Sequence, residues 1–143
     1  MISTVAVGTD GSDTASKAVE TAADMAHRYD AKLVLISAFS DAGDGGPANL
    51  SGSSLEIQWA TSPAARLTEQ LERQQATLRA SGIDCTTMIE EGDPADVLVS
   101  LAERCGADVL VIGNRGMKRR VLGSVPNTVT HKAGCSVLVV KTT

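Results

Sequence analysis

Small and basic residues late in the chain have a spacing that could hold a phosphate group. Gly113 and Gly116 follow an apolar run, and Gly123-Ser124 precedes a segment with helical periodicity. Because glycine has no Cβ, the backbone can turn tightly there and bring its N–H groups close to an anion. The N-terminus of the following helix adds unpaired N–H groups and the positive end of a dipole. This stretch therefore predicts an anion-binding site.

Basic side chains in the same stretch strengthen the prediction. Arg115, Lys118, Arg119 and Arg120 lie between the glycines, in a chain whose 13 Lys and Arg against 17 Asp and Glu give a net charge of −4. A net acidic chain is not typical of a general nucleic-acid or anionic-membrane binder, so we expect neither partner. A solvated surface patch is the alternative explanation of the basic run.

A second polar stretch follows the first apolar run and contains Gly8, Thr9 and Asp10. Asp10 could accept hydrogen bonds from an adenine amino group or a ribose hydroxyl, or it could belong only to a turn and a helix cap. Residues 91–94 could likewise form either the rim of a site or a strand-to-helix turn, and we favour the turn.

The remaining reactive side chains do not form a catalytic or metal-binding set. His27 and His131 are expected near helix C-termini, which suits a partly cationic imidazole. Cys85, Cys105 and Cys135 contain no C-x-x-C pair, so we expect reduced thiols that fill packing positions. No catalytic residue and no metal site are predicted.

Five short apolar runs alternate with segments of helical periodicity, which predicts a doubly wound, Rossmann-like α/β sheet of five parallel strands with helices on both faces and strand order 3-2-1-4-5. Ligands bind such sheets at the carboxyl edge where the strand order reverses, here between the first and fourth strands. The expected strands are 4–8, 32–38, 85–89, 107–112 and 136–140, and the expected helices are 13–28, 63–80, 94–104 and a segment from about 124 that ends before Gly134.

One segment interrupts this alternation. Residues 39–62 form a Gly/Ser-rich stretch that is far longer than a usual connection, and Ile57 and Trp59 are its main apolar anchors. It is either a loop without a specific role or a lid or partner surface. We expect one domain over residues 1–143, and because no export signal or membrane-length apolar run is visible, we expect a cytoplasmic protein.

The chain resembles the single-domain universal stress proteins over nearly its whole length. The matching segments are Val5–Ser12, Gly92–Pro94, Ala107–Gly116, Gly123–Asn127 and Cys135–Val140. The most specific element is the pattern of the nucleotide-binding members: Gly, two residues, Gly, nine residues, then Gly and Ser or Thr. Gly113, Gly116, Gly123 and Ser124 supply its fixed positions.

The resemblance implies an adenine nucleotide, with ATP as the leading ligand and Mg²⁺ as its possible companion. It implies that Asp10 and the backbone at Ala38 meet the base or ribose. The residues it implies for the ribose and phosphates are Gly113, Gly116, Gly123, Ser124 and Val125, and the expected binding residues also include Gly8, Thr9, Ile112 and Arg115. It further implies a role in the stress response, at most slow ATP hydrolysis, and a homodimer through the C-terminal strand, residues 137–140.

The sequence departs from the family pattern at one point. Six residues rather than nine separate Gly116 from Gly123. At up to about 3.5 Å per residue, the missing chain could remove a phosphate-contacting arc or draw the basic run inward. Cyclic AMP or AMP therefore stays an alternative ligand, and a nucleotide-free protein-interaction module stays an alternative function. An adenylating enzyme is a weaker alternative, because Gly8–Asp13 resembles its phosphate loop only loosely.

Overall fold

A computed structural model of the protein describes residues 1–10, 13–40, 62–114 and 124–142. Its five strands form a parallel sheet in the order β3-β2-β1-β4-β5, which confirms the predicted strand order. The strands are β1 (Thr4–Gly8), β2 (Lys32–Phe39), β3 (Cys85–Glu91), β4 (Val109–Gly113) and β5 (Ser136–Val140). The helices in these ranges are α1 (Asp13–Tyr29), α2 (Pro63–Ala80), α3 (Pro94–Arg104) and α4 (Ser124–Lys132).

The helices cover both faces of the sheet, as a doubly wound fold requires. Successive residues of a strand point to opposite faces, so Val5 and Val7 pack in the cluster that contains α1 and α2. Ala6, between them, packs in the cluster that contains α3 and α4. All three are fully buried, which explains why β1 reads as a continuous apolar run.

Helix starts follow the expected capping chemistry. The Ser62 side chain accepts a hydrogen bond from the Ala65 N–H at 3.1 Å and begins α2, directly before Pro63. The Asp93 side chain accepts from the Asp96 N–H at 3.3 Å and begins α3. The favoured strand-to-helix turn is therefore present at Gly92 and Asp93, whereas Glu91 still belongs to β3. Within the described ranges, no helix is long and apolar enough to cross a membrane.

Several predicted boundaries differ from the structure. Strand β3 ends at Glu91 rather than at residue 89, β4 ends at Gly113 rather than at residue 112, and α1 ends at Tyr29 rather than at residue 28. Phe39 was expected in the long connection, but it pairs with Glu91 and extends β2; residues 41–61 of that connection lie outside the described residues. Strand β4 begins at Val109 rather than at Ala107. The reason is Asp108, whose carboxylate accepts hydrogen bonds from the N–H groups of Ser3 and Thr4 at 2.8 and 3.0 Å, next to the start of β1.

These hydrogen bonds favour the ionised form of Asp108. They hold the pKa of its carboxyl below the ordinary value, with the Ser3 N–H as the largest cause. A group whose pKa is lower in the folded state contributes stability above its unfolded pKa and loses it as the pH falls through the folded pKa. The anchor between β1 and β4 is therefore weakened by acid.

We expect Asp108→Asn to lower the free energy of unfolding at neutral pH. The difference from wild type should shrink as the pH falls through the lowered pKa of Asp108, because both proteins then carry an uncharged side chain. Denaturant unfolding followed by circular dichroism over a pH series measures this. Asp24→Asn, which removes a carboxylate from the exposed face of α1, is the matched control. An equal pH dependence in wild type and Asp108→Asn would contradict the prediction.

Candidate functional site

A cavity of about 380 Å³ lies at the carboxyl edge of the sheet, where the strand order reverses between β1 and β4. This volume is in the range of small-molecule sites. The walls are mostly apolar, with a few hydroxyl groups and one carboxylate among the described residues. They comprise Gly8, Thr9, Asp10, Ala15, Ser37, Ala38, Pro94, Leu98, Ile112, Gly113, Val125, Pro126 and Thr142.

The ends of β1 and β2 form one wall and are tied together. The Thr9 N–H donates to the Ile36 carbonyl at 3.0 Å, which continues the strand pairing past Gly8. The Ser37 hydroxyl, which is buried, donates a short hydrogen bond to the Thr9 carbonyl. Asp10 follows directly, exposed at the cavity. The backbone that carries the Asp10 carboxylate is thus fixed from the neighbouring strand.

Two glycines let side chains close in on this cavity. A Cβ at Gly8 would lie 3.1 Å from Leu98 Cδ1, and a Cβ at Gly113 would lie 3.2 Å from Thr142 Cγ2. Both distances are shorter than ordinary van der Waals contacts. Gly113 was expected to permit a tight turn toward an anion; what its missing Cβ visibly provides is room for Thr142.

Thr142 reaches the cavity because Asn114 holds it. The Asn114 Oδ1 atom accepts hydrogen bonds from the Thr142 N–H at 2.8 Å and from the Thr142 hydroxyl at 2.7 Å. The Asn114 N–H donates to the Val140 carbonyl at 3.0 Å. Both side chains are almost fully buried, at 4% exposure each. We call this arrangement of Asn114 and Thr142 the C-terminal clamp.

Three helices begin at the cavity. Ala15 belongs to the first turn of α1, Pro94 is the first residue of α3, and Val125 and Pro126 belong to the first turn of α4. The positive ends of helix dipoles therefore surround the site. Asp10 is the one charged side chain among the lining residues that the structure describes. The arrangement suits a ligand with an apolar body, hydroxyl groups and an anionic end.

Most of the predicted site residues that the structure describes meet in this cavity. They are Gly8, Thr9, Asp10, Ala38, Ile112, Gly113 and Val125. Ser124 begins α4 but is exposed and does not line the cavity. Arg115, Gly116 and Gly123, together with the basic residues 118–120, lie outside the described residues.

Several residues that line the cavity were not predicted from the sequence. Leu98 lies one helical turn after Pro94, so helical periodicity from the strand–helix turn could have found it. Thr142 follows β5 by two residues, and the adjacency of β5 and β4 at the carboxyl edge was the available signal. Ser37 directly precedes the predicted Ala38, yet nothing in the sequence indicates that its hydroxyl reaches the Thr9 carbonyl.

The expected packing role of the cysteines and the expected position of the histidines near helix C-termini agree with the structure. Cys85 is a buried free thiol, and burial raises its pKa to about 11, which disfavours the reactive thiolate. His27 and His131 lie in the last turns of α1 and α4. Among the described residues, no group of three or more His, Cys, Asp or Glu side chains is arranged to hold a metal ion.

Comparisons with known proteins agree with this fold. A model of the universal stress protein family matches residues 1–141. A universal stress protein of Mycobacterium tuberculosis is 37% identical over 145 residues, which cover 98% of this chain and 97% of the relative. A solved universal stress protein in complex with cAMP has a TM-score of 0.75 and 33% identity, over 99% of this chain and 98% of that one. Another, from Lactobacillus plantarum, has a TM-score of 0.76 and 27% identity over 97% of each chain.

We expect Ser37→Ala to lower the free energy of unfolding by about 1 kcal/mol, because a buried hydroxyl would no longer donate to the Thr9 carbonyl. Ser81→Ala is the matched control, since it removes an exposed hydroxyl that donates to the Thr77 carbonyl at 3.3 Å. Urea unfolding of the three proteins gives the comparison. A loss in Ser37→Ala no larger than that in the control would show that the hydrogen bond does not anchor the Thr9 segment.

Proposed function

Because this chain belongs to the universal stress protein family, we propose that it binds an adenine nucleotide at the carboxyl edge of its sheet. ATP is the leading ligand. The protein would then act as a cytoplasmic stress-response regulator or sensor, formed as one nucleotide-binding domain over residues 1–143. Its state would be signalled through the conformation of a dimer or of the long 39–62 segment.

The observation that carries this proposal is the convergence of residues predicted from distant parts of the sequence on one cavity. Asp10 follows β1, Ala38 lies near the end of β2, and Gly113 is the last residue of β4. All three nevertheless line the same cavity of about 380 Å³. These residues are far apart in the chain. A cavity at the strand-order reversal is also where open α/β sheets bind their ligands.

The adenosine half fits the wall formed by β1, β2 and α3. Adenine has apolar faces and polar edges, and Ala38, Pro94 and Leu98 offer apolar surface for a planar ring. Asp10 can accept hydrogen bonds from ribose hydroxyls or from the adenine amino group. The Ser37 hydrogen bond to the Thr9 carbonyl holds the backbone that carries this carboxylate.

The phosphate end fits the opposite wall, formed by Gly113 and the first turn of α4. The α4 N-terminus supplies N–H groups and a positive dipole end for an anion. Ser124, although exposed in this structure, stands at the position where a hydroxyl could join them. If Mg²⁺ accompanies ATP, the phosphates would supply most of its ligands.

Cyclic AMP is the second candidate ligand, and one specific comparison favours it. The solved relative that is 33% identical over 99% of this chain is in complex with cAMP. The six-residue spacing between Gly116 and Gly123 also leaves less chain for a triphosphate than the nine-residue pattern. AMP shares the single phosphate and belongs to the same candidate class.

The partner we propose is a second copy of this chain, paired through β5. The other edge strand, β3, is charged and covered: Glu90 pairs with Arg104 at 2.9 Å, and the Arg79 side chain donates to the Cys85 carbonyl. Strand β5 has no charged residue, and Leu138 in its middle is an exposed large apolar side chain. An uncharged edge strand is a template for pairing with another chain. A two-fold axis would pair β5 with itself and close the interface.

We expect Ala38→Phe to weaken nucleotide binding by about tenfold or more, because a benzyl group would occupy the space of the adenine ring. The matched control is Ala133→Phe, the same change at a half-buried alanine that lines a separate cavity beside Cys135. Freshly purified protein is denatured and any released nucleotide identified by mass spectrometry. The emptied wild type and both variants are then titrated with ATP, ADP, AMP and cyclic AMP by calorimetry.

The ligand released decides between the candidates. ATP at about one per chain would support the leading ligand, and cyclic AMP or AMP would reassign it. No released nucleotide and no saturable binding below millimolar concentration in wild type would overturn the proposal and favour a protein-interaction module. Equal affinities of Ala38→Phe and wild type would show that the nucleotide binds elsewhere.

We expect Leu138→Lys to shift the protein from dimer to monomer, because paired β5 strands would bring two like charges together at the two-fold axis. Tyr29→Lys is the control, since it replaces another exposed large apolar residue at the end of α1. Sedimentation velocity at several concentrations separates the two states. A monomeric wild type, or a dimer that Leu138→Lys leaves intact, would rule out the β5 interface.

A further inference from the structure

The C-terminal clamp joins the end of β5 to the cavity at the point where β4 ends. Gly113 pairs with Val140, and Asn114 then binds both the Val140 carbonyl and Thr142. Thr142 is thereby carried past the end of the sheet and becomes part of the cavity wall. The clamp is nearly inaccessible to solvent, with both side chains at 4% exposure.

We propose that Asn114 and Thr142 are positioning residues that set the phosphate end of the nucleotide site. The inference rests on the proposed nucleotide binding and specifies which residues of that site distinguish phosphate-bearing ligands from adenosine. Neither residue belongs to the glycine pattern of the family, and neither needs to touch the phosphate itself. They act by fixing the backbone that leaves β4.

The position of the clamp explains why its effect is local. It lies on the β4 and β5 side of the cavity, beside Gly113, whereas Ala38 and Pro94 line the side formed by β2 and α3. Thr142 also contacts the position where a side chain on Gly113 would begin, since its Cγ2 atom is 3.2 Å from a Cβ built there. Releasing Thr142 would free both the wall and the Gly113 backbone, and the adenosine wall would keep its own anchor at Ser37.

The hydrogen bonds of the clamp suggest two variants for testing this role, one of which disrupts the clamp more than the other. Asn114→Ala removes the acceptor for both the Thr142 N–H and the Thr142 hydroxyl. Thr142→Val removes only the hydroxyl donor and keeps both the shape of the side chain and the backbone hydrogen bond. The milder variant keeps the test informative if Asn114→Ala does not fold.

The experiment titrates wild type and both variants with adenosine, AMP and ATP by calorimetry. Gln70→Ala, which removes an exposed amide from α2, and Thr86→Val on β3 are the controls. We expect AMP and ATP affinities to fall about tenfold in Asn114→Ala and about threefold in Thr142→Val, while adenosine affinity changes less than about twofold. Hydrogen exchange of the Thr142 amide should accelerate in Asn114→Ala.

The outcomes separate this inference from the proposed function. If wild type binds none of the three ligands, both fail. If wild type binds nucleotides and the variants bind them as tightly, the inference alone is overturned. A loss of adenosine affinity equal to the loss for AMP would also overturn it, because the clamp would then support the fold rather than the phosphate end. Loss confined to AMP and ATP supports the positioning role.

Discussion

Strand β1 pairs with β2 on one side and with β4 on the other, and this double pairing is the constraint on which the rest of the structure depends. The chain leaves β1 through α1 on one face, builds β2 and β3 outward, and returns through α3 on the other face to place β4 beside β1. The helices that follow β1 and β4 lie on opposite faces of the sheet, α1 on one face and α4 on the other. A sheet whose strand order reverses in this way has a crevice at its carboxyl edge, so the cavity is a consequence of strand order before any side chain is considered.

Two glycines let side chains of neighbouring elements approach the crevice closely, and these side chains give the cavity its shape. Leu98 closes on Gly8 from α3, and Thr142 closes on Gly113 from beyond β5. Glycine at a strand end costs about 0.5–1 kcal/mol relative to alanine, because it loses more conformational freedom on folding. Both glycines stand at strand ends that line the cavity. The conformational cost of these glycines therefore occurs only where a Cβ would displace a side chain of the cavity wall.

Much of this architecture could be predicted from local sequence. The bounds of β1 and β5 agree with the expected 4–8 and 136–140 because apolar runs of that length fit strands covered by helices or at an edge. The start of β4 was missed because the Asp108 carboxylate binds the Ser3 and Thr4 N–H groups, a contact across more than a hundred residues of chain. The positions of Asp10, two residues after β1, and of Gly113, at the end of β4, beside one cavity were predictable from strand order. The adjacency of β4 and β5 also brings Thr142 near this edge, but its hydrogen bonds to the Asn114 side chain were not predictable, because no periodicity reveals them.

Among the described residues that line the cavity, positive potential comes from the backbone rather than from side chains. The chain carries a net charge of −4, and the described walls contain one charged group, the Asp10 carboxylate. Favourable potential for an anion must then arise, within these walls, from the N-termini of α1, α3 and α4. Such dipoles do not titrate, and they act only over about the first helical turn, so small displacements of the backbone change their effect strongly. If the cavity binds the anionic ligand proposed above, hydrogen bonds that fix the backbone around it, such as those of Ser37 and Asn114, would therefore influence its affinity for that anion.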